Sequence, residues 1–417
     1  MIEIAVLFLV GYLVITLEHP LHVDKAATAL IIGGLSWVWL FLGPAPERTA
    51  GLLEHHLVDV ASIVFFLLAA MTIVEVIEAY DGFHLVTKHL RFTNKRALLA
   101  AIGLVTFFLS AVLDNLATSL VMLAVVAKRV PGGEDRLLFS GMIVVAANAG
   151  GAFSPIGDIT TTMLWVGGQL TFPAVMSRLF LPALVAFVVP LALVCLSVKG
   201  VFGPAAEARE ASLPGRNLVF FAGTLLLAAV PVAKAVLHAP PFLALLTGLG
   251  LLWLITEILG KGKLRYVDER PSLPSALKKV DLPSILFFIG ILLAVAALDD
   301  AGILAVVAAS LTSWLVHPEL IAGSLGVLSS VFDNVPLVAG AARMFPLSEV
   351  PTDAPFWHWL ALTAGTGGSI LVVGSAAGIA AMGYSKLRFG WYARRIGLPA
   401  LAGYAAALGV LWLQSRF

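Results

Sequence analysis

The stretch "FFLSAVLDNLATSLVML", residues 107–123, places Asp114 and Asn115 inside an otherwise apolar run. The same pair returns as Asp333 and Asn334 in "GVLSSVFDNVPLVAG", residues 326–340. An unpaired carboxylate at the centre of a bilayer costs at least ~2.5–3.5 kcal/mol on insertion scales. Two such pairs in one chain therefore need either a compensating partner or a function, and the rest of the sequence indicates which.

The composition is that of a polytopic membrane protein with predominantly helical structure. Of the 417 residues 60% are hydrophobic and 12% are charged, whereas about 25% are charged in a typical soluble protein. A net charge of +1 gives no reason to expect a nucleic-acid partner, and the single cysteine, Cys195, excludes an internal disulfide. Nine or ten apolar segments approach the ~20 residues that span a bilayer. We predict crossings at 2–17, 25–43, 58–79, 137–165, 172–198, 217–236, 241–260, 283–307, 356–385 and 391–413.

The distribution of basic residues bears on two further apolar segments, 97–127 and 318–345, which carry the two Asp-Asn pairs. Each could be a straight helix or a helical hairpin that enters the membrane and turns back. The cytoplasmic side of a membrane protein carries an excess of Lys and Arg, and two hairpins give the strongest excess. We therefore predict that the first hairpin enters from the cytoplasm and the second from outside. This arrangement leaves five of the 26 basic residues on the outer side of the membrane, namely Arg48, Arg178, Lys234, Arg343 and Arg416.

The two halves of the chain resemble each other. "ASIVFFLLAAM" (61–71) matches "PSILFFIGILL" (283–293), "LSAVLDN" (109–115) matches "LSSVFDN" (328–334), and "NAGGAFSPIGD" (148–158) matches "GTGGSILVVGS" (365–375), at offsets of 222, 219 and 217 residues. Each half holds five crossings, an odd number, so the second copy would be inverted in the membrane. Inverted repeats with broken helices are typical of secondary transporters. We predict halves at 1–198 and 217–417, joined by a cytoplasmic linker at 199–216.

Three acidic residues stand in the predicted membrane interior, namely Asp114, Asp158 and Asp333. No Lys or Arg is evident in the apolar interior near them. A carboxylate in such a place is either protonated or bound to a cation, so these positions are where a proton and a metal ion would compete. Glu75, one turn deeper in its crossing than Glu78, could relay protons. The histidines fall mostly in predicted loops (His55, His56, His84, His89 and His317), and no spacing typical of a Cys/His metal site exists.

The segment "NAGGAFSPIGDITTT", residues 148–162, predicts a helix broken in the middle of the crossing 137–165, because it carries Gly150, Gly151, Pro155 and Gly157. Backbone carbonyls freed by such a break, together with side-chain oxygens, suit Na⁺ or Li⁺. The side-chain oxygens of this segment that we expect at the ion belong to Asn148, Asp158, Thr160 and Thr161.

The second copy predicts a similar break within 356–385 but with less charge. In "AGTGGSILVVGSAAG", residues 364–378, Ser375 stands where the first copy has Asp158. We therefore expect the first half to hold the ion more tightly. Asp333, Asn334, Ser369 and Ser375 would complete the shell from the second half.

These motifs resemble the NhaD-type sodium/proton antiporters of the ion transporter superfamily. The similarity runs over about residues 60–390 and is most specific in "SPIGDITTT" (154–162), with "SAVLDNLATS", "FDNVPL" and "AAMTIVEVIEA" in support. It implies an inverted-repeat fold with two re-entrant hairpins and two broken helices. It also implies an elevator-type transport domain moving against a scaffold, and a homodimer. The functional positions that it implies are Ser110, Asp114, Asn115, Asn148, Asp158, Thr160, Thr161, Asp333 and Asn334, with Glu75.

From these observations we predict an all-α inverted-repeat transporter that exchanges Na⁺ or Li⁺ for H⁺, with the cation at Asp114 and Asp158 and no cofactor besides the transported ions. The expected location is a lipid bilayer, as a multi-pass protein of a bacterial cytoplasmic membrane. One alternative is an anion carrier of the same superfamily for arsenite or a dicarboxylate. Another is an intramembrane aspartyl protease using Asp114 and Asp158, although the usual Gly-x-Gly-Asp reads "PIGD" here.

Overall fold

The computed structural model describes residues 2–17, 21–87, 90, 92–203, 213–237, 239–261, 271–315 and 317–416, and these residues are almost entirely helical. Strand-like pairing within these ranges is limited to an isolated bridge between Asn94 and Val201. The helices of eight residues or more are α1 Ile2–Thr16, α2 Lys25–Phe41, α3 Pro46–Ala79, α4 Lys95–Ser110, α5 Asn115–Arg129, α6 Glu134–Ala152, α7 Ile159–Val166, α8 Phe172–Ser197, α9 Arg216–Leu237, α10 Pro241–Lys261, α11 Leu282–Asp300, α12 Ile303–Trp314, α13 Pro318–Leu328, α14 Asn334–Met344, α15 Pro355–Gly367, α16 Ala376–Ser385 and α17 Phe389–Gln414.

Within the described ranges, six helices are long and apolar enough to cross a membrane, namely α3, α8, α9, α10, α11 and α17. Helices α12 and α13 meet at a bend of 113°, and if they are counted together as one span, the number of possible membrane spans is seven. The other predicted crossings are not continuous helices of 20 residues, because some are shorter and some are interrupted. Helices α1 and α2 have 15 and 17 residues, and the segments 137–165 and 356–385 are interrupted.

Two predicted crossings have the wrong bounds. The crossing predicted at 58–79 belongs to a helix that begins at Pro46, because proline is well tolerated in the first turn of a helix and nothing interrupts the chain before Tyr80. The crossing predicted at 283–307 ends at Asp300. Gly302 follows with a φ of 73°, a left-handed conformation that stops the helix and starts α12.

Two interruptions lie in the middle of each half. We call residues 111–114 and 329–333 the first and second DN turns, and residues 153–158 and 368–375 the first and second breaks. Each DN turn separates two helices of the segment predicted as a hairpin, and each break lies within a segment predicted as a broken helix. The re-entrant path of these helices through a membrane stays a prediction. The division of the chain at 199–216 also stays a prediction, and residues 204–212 of that linker lie outside the described residues.

Contacts around these interruptions recur in both halves. The Ser110 hydroxyl donates to the Ala147 carbonyl at 2.6 Å, and the Ser329 hydroxyl donates to the Ala364 carbonyl at 2.8 Å. Gly150 and Gly367 make equivalent close approaches. A methyl group built at Gly150 would lie 2.0 Å from the Phe107 carbonyl oxygen, and one built at Gly367 would lie 2.0 Å from the Gly326 carbonyl oxygen. The sequence similarity of the two halves therefore has a counterpart in side-chain and backbone contacts.

The buried apolar side chains form two large clusters. The broken-helix core is built mainly by α4, α6, α8, α15 and α17, and the long-helix core mainly by α2, α3, α9, α10 and α11. Among the described residues, the helices that contribute buried side chains to both cores are α5, α7 and α14. In α7, for example, Leu164 belongs to the broken-helix core whereas Met163 and Trp165 belong to the long-helix core. These three helices are the ones that follow Asp114, Asp158 and Asp333.

Candidate functional site

The three aspartates predicted in the membrane interior, Asp114, Asp158 and Asp333, stand at the N-terminal ends of helices. Oδ1 of Asp114 accepts a hydrogen bond from the Ala117 amide at 2.8 Å, and Oδ1 of Asp333 accepts one from the Val335 amide at 3.1 Å. Asp158 caps α7 in the same way, with its Oδ1 3.5 Å from the Thr160 amide nitrogen. Such caps satisfy helix N–H groups, and the helix dipole favours the negative charge. The sequence folds this way locally because an Asp before a helix-forming run is a strong start signal.

The helix ends meet at one cavity. Asp114, Asp158 and Asp333 all line it, together with Asn115 and Asn334. The rest of its wall is largely apolar and includes Phe66, Met71 and Phe288. Asp158 is 2% exposed and Asn334 is 8% exposed, so these polar groups are largely withdrawn from solvent. The structure thus brings the two predicted hairpin tips and the first break to one place, at the boundary between the two cores.

A hydroxyl of the helix that Asp158 caps contacts its carboxylate. The Thr160 hydroxyl donates to Asp158 Oδ2 at 2.9 Å. The hydroxyl of Thr161 instead donates to the Ala152 carbonyl at 3.3 Å, which ties α7 to the end of α6. Of the two threonines predicted at the ion, Thr160 therefore contacts the carboxylate and Thr161 contacts the backbone of the break.

An amide network lies beside the cavity. Asn115 Nδ2 donates to Asn148 Oδ1 at 3.1 Å, and Asn148 Nδ2 donates to the hydroxyls of Ser369 at 3.0 Å and Ser375 at 2.9 Å. The network joins the first half of the chain to the second. Asn148, Ser369 and Ser375 are not among the residues that line the cavity, and neither is Ser110, whose hydroxyl goes to the Ala147 carbonyl. These four predicted site residues support the cavity rather than form its wall.

The expectation that no basic side chain lies near the buried acids is wrong. Lys25, the first residue of α2, places its Nζ 2.8 Å from Asp333 Oδ2, and each side chain is 20% exposed. Helix α2 packs closely on α11 where Gly33 meets Gly290, which holds Lys25 over the Phe287 ring at 4.5 Å from its centroid. Lys25 also lines the cavity. This pair was not predicted, because Asp333 lies 308 residues from Lys25 in the chain.

Glu75 lies close to the cavity but does not line it, whereas Met71 and Val74 of the same helix do. The charges of Glu78, Lys279 and Asp114 all act on its carboxylate. Glu75 therefore lies in the same helix as two cavity-lining residues and within electrostatic reach of Asp114. This position is compatible with the predicted proton relay, which stays a prediction.

The placement of the histidines in loops is also wrong for part of the set. His55 and His56 belong to α3, and His84 belongs to a short helix, His84–Thr87, whereas His89 lies outside the described residues. His56 is 5% exposed, and its Nε2 lies 3.0 Å from Asp300 Oδ2. The predicted crossing began at residue 58, whereas the helix begins at Pro46 and includes both histidines, with His55 exposed and His56 buried.

The three carboxylates share the cavity without converging on a single point. Within the described part of the chain, no three His, Cys, Asp or Glu side chains lie close enough together to hold one metal ion. A cation in this cavity would therefore be held by at most two of these carboxylates, with neutral oxygens completing its shell. Carboxylate, amide and hydroxyl oxygens are hard ligands, which suit alkali cations better than transition metals.

Comparison with known proteins places this geometry in a family. A family model described as "Citrate transporter" matches residues 7–365. The chain is 45% identical to sodium/proton antiporter 1 of Arabidopsis thaliana, over 98% of this chain and 71% of that protein. It is 42% identical to sodium/proton antiporter 2 of the same plant, over 97% of both chains. It is 33% identical to the Na⁺/H⁺ antiporter NhaD of Alkalimonas amylolytica, over 98% of this chain and 90% of that protein.

The chain belongs to the NhaD-type sodium/proton antiporter family. The resemblance expected from the motifs around Asp114 and Asp158 is thereby confirmed, and the similarity extends well beyond residues 60–390. As an NhaD-type chain with at least six apolar helices of spanning length, it is a multi-pass membrane protein.

Proposed function

We propose that this chain exchanges Na⁺ or Li⁺ for H⁺ across the membrane. The observation that carries the proposal is the cavity that holds Asp114, Asp158 and Asp333 between the two cores. A buried carboxylate needs either a proton or a cation, so binding of one ion displaces the other. The names of the relatives support exchange of sodium for protons.

The Lys25–Asp333 ion pair distinguishes Asp333 from the other two acids of the cavity. An ammonium group 2.8 Å away already compensates Asp333. Asp114 and Asp158 have no basic partner among the described ion pairs, so they are the carboxylates at which Na⁺ and H⁺ compete. Asp158, with the Thr160 hydroxyl on its Oδ2, is the stronger candidate for direct contact with the cation, and Asp114 supplies a second negative charge at the cavity.

Two cores with the acids at their boundary suit an elevator mechanism. In this proposal the broken-helix core is the transport domain and the long-helix core is the scaffold, in a homodimer. The DN turns and breaks carry the ion, while the Lys25–Asp333 contact and the contact of Arg343 with Asp299, at 3.3 Å, link α14 to the scaffold. Movement of α14 with the transport domain would require both ion pairs to open.

The alternatives predicted from sequence are not favoured. Three acids against a single lysine give the cavity an excess of negative charge, which opposes the entry of arsenite oxyanions or dicarboxylates. The relatives at 42–45% identity are named antiporters, which supports a transporter rather than an intramembrane protease.

Proteoliposomes with an acid-inside pH gradient and an internal pH dye test the proposal. Addition of Na⁺ or Li⁺ outside should collapse the gradient, and Asp158→Asn should abolish the response. The matched control is Asp135→Asn, which removes an aspartate that pairs with Lys95 away from the cavity, at 2.6 Å, and should retain exchange. Absence of any response of the wild-type chain to Na⁺ or Li⁺ across pH 6–9 would exclude the proposal.

A further inference from the structure

The internal repeat relates the surroundings of Asp158 to those of Ser375. At an offset of 219 residues, Asn115 corresponds to Asn334. At an offset of 217 residues, three further pairs correspond, namely Asn148 with Gly365, Ala152 with Ser369, and Asp158 with Ser375. The correspondence yields two related groups of four residues, each built from both halves of the chain.

The closed quartet consists of Asn115, Asn148, Ser369 and Ser375. Asn148 is its centre, because its amide oxygen accepts from Asn115 at 3.1 Å and its amide nitrogen donates to Ser369 and Ser375 at 3.0 and 2.9 Å. Asn148 is fully buried. Every hydrogen-bonding atom of its side chain therefore has a partner, and the quartet is filled by protein.

The open quartet consists of Asn334, Gly365, Ala152 and Asp158. Gly365 stands at its centre in place of Asn148, without a side chain. A methyl group built at Gly365 would lie 2.9 Å from Asp158 Oδ2 and 3.0 Å from Ala152 Cβ. Asp158 and Ala152 correspond to Ser375 and Ser369, the two residues to which the Asn148 amide donates. Asn334 and Asp158 both line the cavity. The arrangement of the closed quartet is thus repeated, with the central side chain missing and a carboxylate in place of a hydroxyl.

We propose that the Asn148 amide nitrogen occupies in the closed quartet the place that the transported cation occupies in the open quartet. On this view each chain binds one cation, and Gly365 is the specificity-determining residue that leaves room for it. This inference rests on the proposed function, because it assumes that Asp158 holds the cation.

The chemistry of the two quartets supports this pairing. An amide NH₂ group carries partial positive charge and has two donors, which suffice for two neutral hydroxyl oxygens. A carboxylate brings a full negative charge, which a neutral amide does not compensate in a buried site. Na⁺ supplies that charge and accepts the oxygens of Asp158 and Asn334 as ligands. The replacement of Ser375 by Asp158 and of Asn148 by Gly365 therefore converts a protein-filled site into a cation site.

Binding of radioactive ²²Na⁺ to the purified full-length chain by equilibrium dialysis tests the inference. We expect the wild-type chain to bind one Na⁺. In Gly365→Asn the new side chain would fill the open quartet, and we expect Na⁺ affinity to fall at least about tenfold. The matched control is Gly383→Asn in α16, where a side chain meets nothing within 4 Å, and which should bind as the wild type does.

The reverse design opens the closed quartet. The double variant Asn148→Gly/Ser375→Asp should raise the number of bound Na⁺ ions from one to two. Binding of two ions by the wild type, unchanged affinity in a folded Gly365→Asn variant, or a single ion in a folded double variant would each overturn the inference. If the double variant does not give monodisperse protein, the wild-type stoichiometry and Gly365→Asn still decide. A wild-type chain that neither binds Na⁺ nor exchanges it would instead overturn the proposed function.

Discussion

Lys25 Nζ lies 2.8 Å from Asp333 Oδ2 and joins the start of α2 to the tip of the second predicted hairpin. The Tyr12 hydroxyl donates to the Asp333 carbonyl at 3.3 Å, so both ends of this aspartate are held by the N-terminal helices. The proposed mechanism therefore assigns ion exchange to Asp114 and Asp158, which have no basic partner among the described ion pairs.

Removal of one partner of this pair should destabilise the protein more than removal of both. Breaking a buried ion pair costs ~3–5 kcal/mol, and we expect about 1–3 kcal/mol for Lys25→Met because each side chain is 20% exposed. The double variant Lys25→Met/Asp333→Asn should recover part of that loss. Thermal unfolding of the purified single and double variants measures the coupling. Additive losses in the double variant would show that the two side chains do not interact.

Thr160 and Thr161 should behave differently when their hydroxyls are removed. Thr160→Val deletes the donor to Asp158 Oδ2, and a hydrogen bond to a charged group is worth about 1.5–3 kcal/mol. The KM for Na⁺ should therefore rise about tenfold or more, with recovery in Thr160→Ser. Thr161→Val deletes a bond to the Ala152 carbonyl, so it should lower Tm and leave the KM for Na⁺ close to the wild-type value. Proteoliposome exchange at varied Na⁺ checks both variants, and equal effects on KM would contradict the different positions of the two hydroxyls.

The glycines at the crossing of α4 and α6 should tolerate no side chain. A methyl group at Gly150 would lie 2.0 Å from the Phe107 carbonyl oxygen, and this backbone cannot move without separating the two helices. Gly150→Ala should cost about 1–3 kcal/mol or more through overpacking and lower the yield of monodisperse protein. Gly409→Ala in α17 is the control, since nothing lies within 4 Å of the added methyl group. Comparable Tm values for the two variants would contradict the close packing at Gly150.

The sequence predicted the parts of this site that depend on local rules. Pro155 and Gly157 lie in the predicted break between α6 and α7, because neither residue favours a helix interior. The capping of the next helices by Asp114, Asp158 and Asp333 was not predicted, although it follows a local rule of the same kind. The similarity of the two halves predicted that these interruptions would come in pairs. Local rules of this kind act over a few residues and are therefore visible in the sequence itself.

Contacts between distant residues were not visible in the sequence. Nothing in the sequence near Lys25 indicates Asp333, which lies 308 residues away and becomes its partner only in the folded chain. The direction of the Asn148 side chain likewise depends on how α6 crosses the second break. The repeat placed Asn148 opposite Gly365 in an alignment, yet the crossing of the two halves was needed to show what each residue faces.

Competition between Na⁺ and H⁺ for the same buried carboxylates is the central claim, and proton release on Na⁺ binding tests it most directly. Purified protein in weak buffer with a pH indicator would be titrated with Na⁺, using an impermeant organic cation chloride to control for ionic strength. The account predicts that Na⁺ releases protons from the wild type and that Asp158→Asn abolishes the release, while Asp135→Asn leaves it intact. Undiminished release from a folded Asp114→Asn/Asp158→Asn variant, or Na⁺ binding to the wild type without any release, would contradict it.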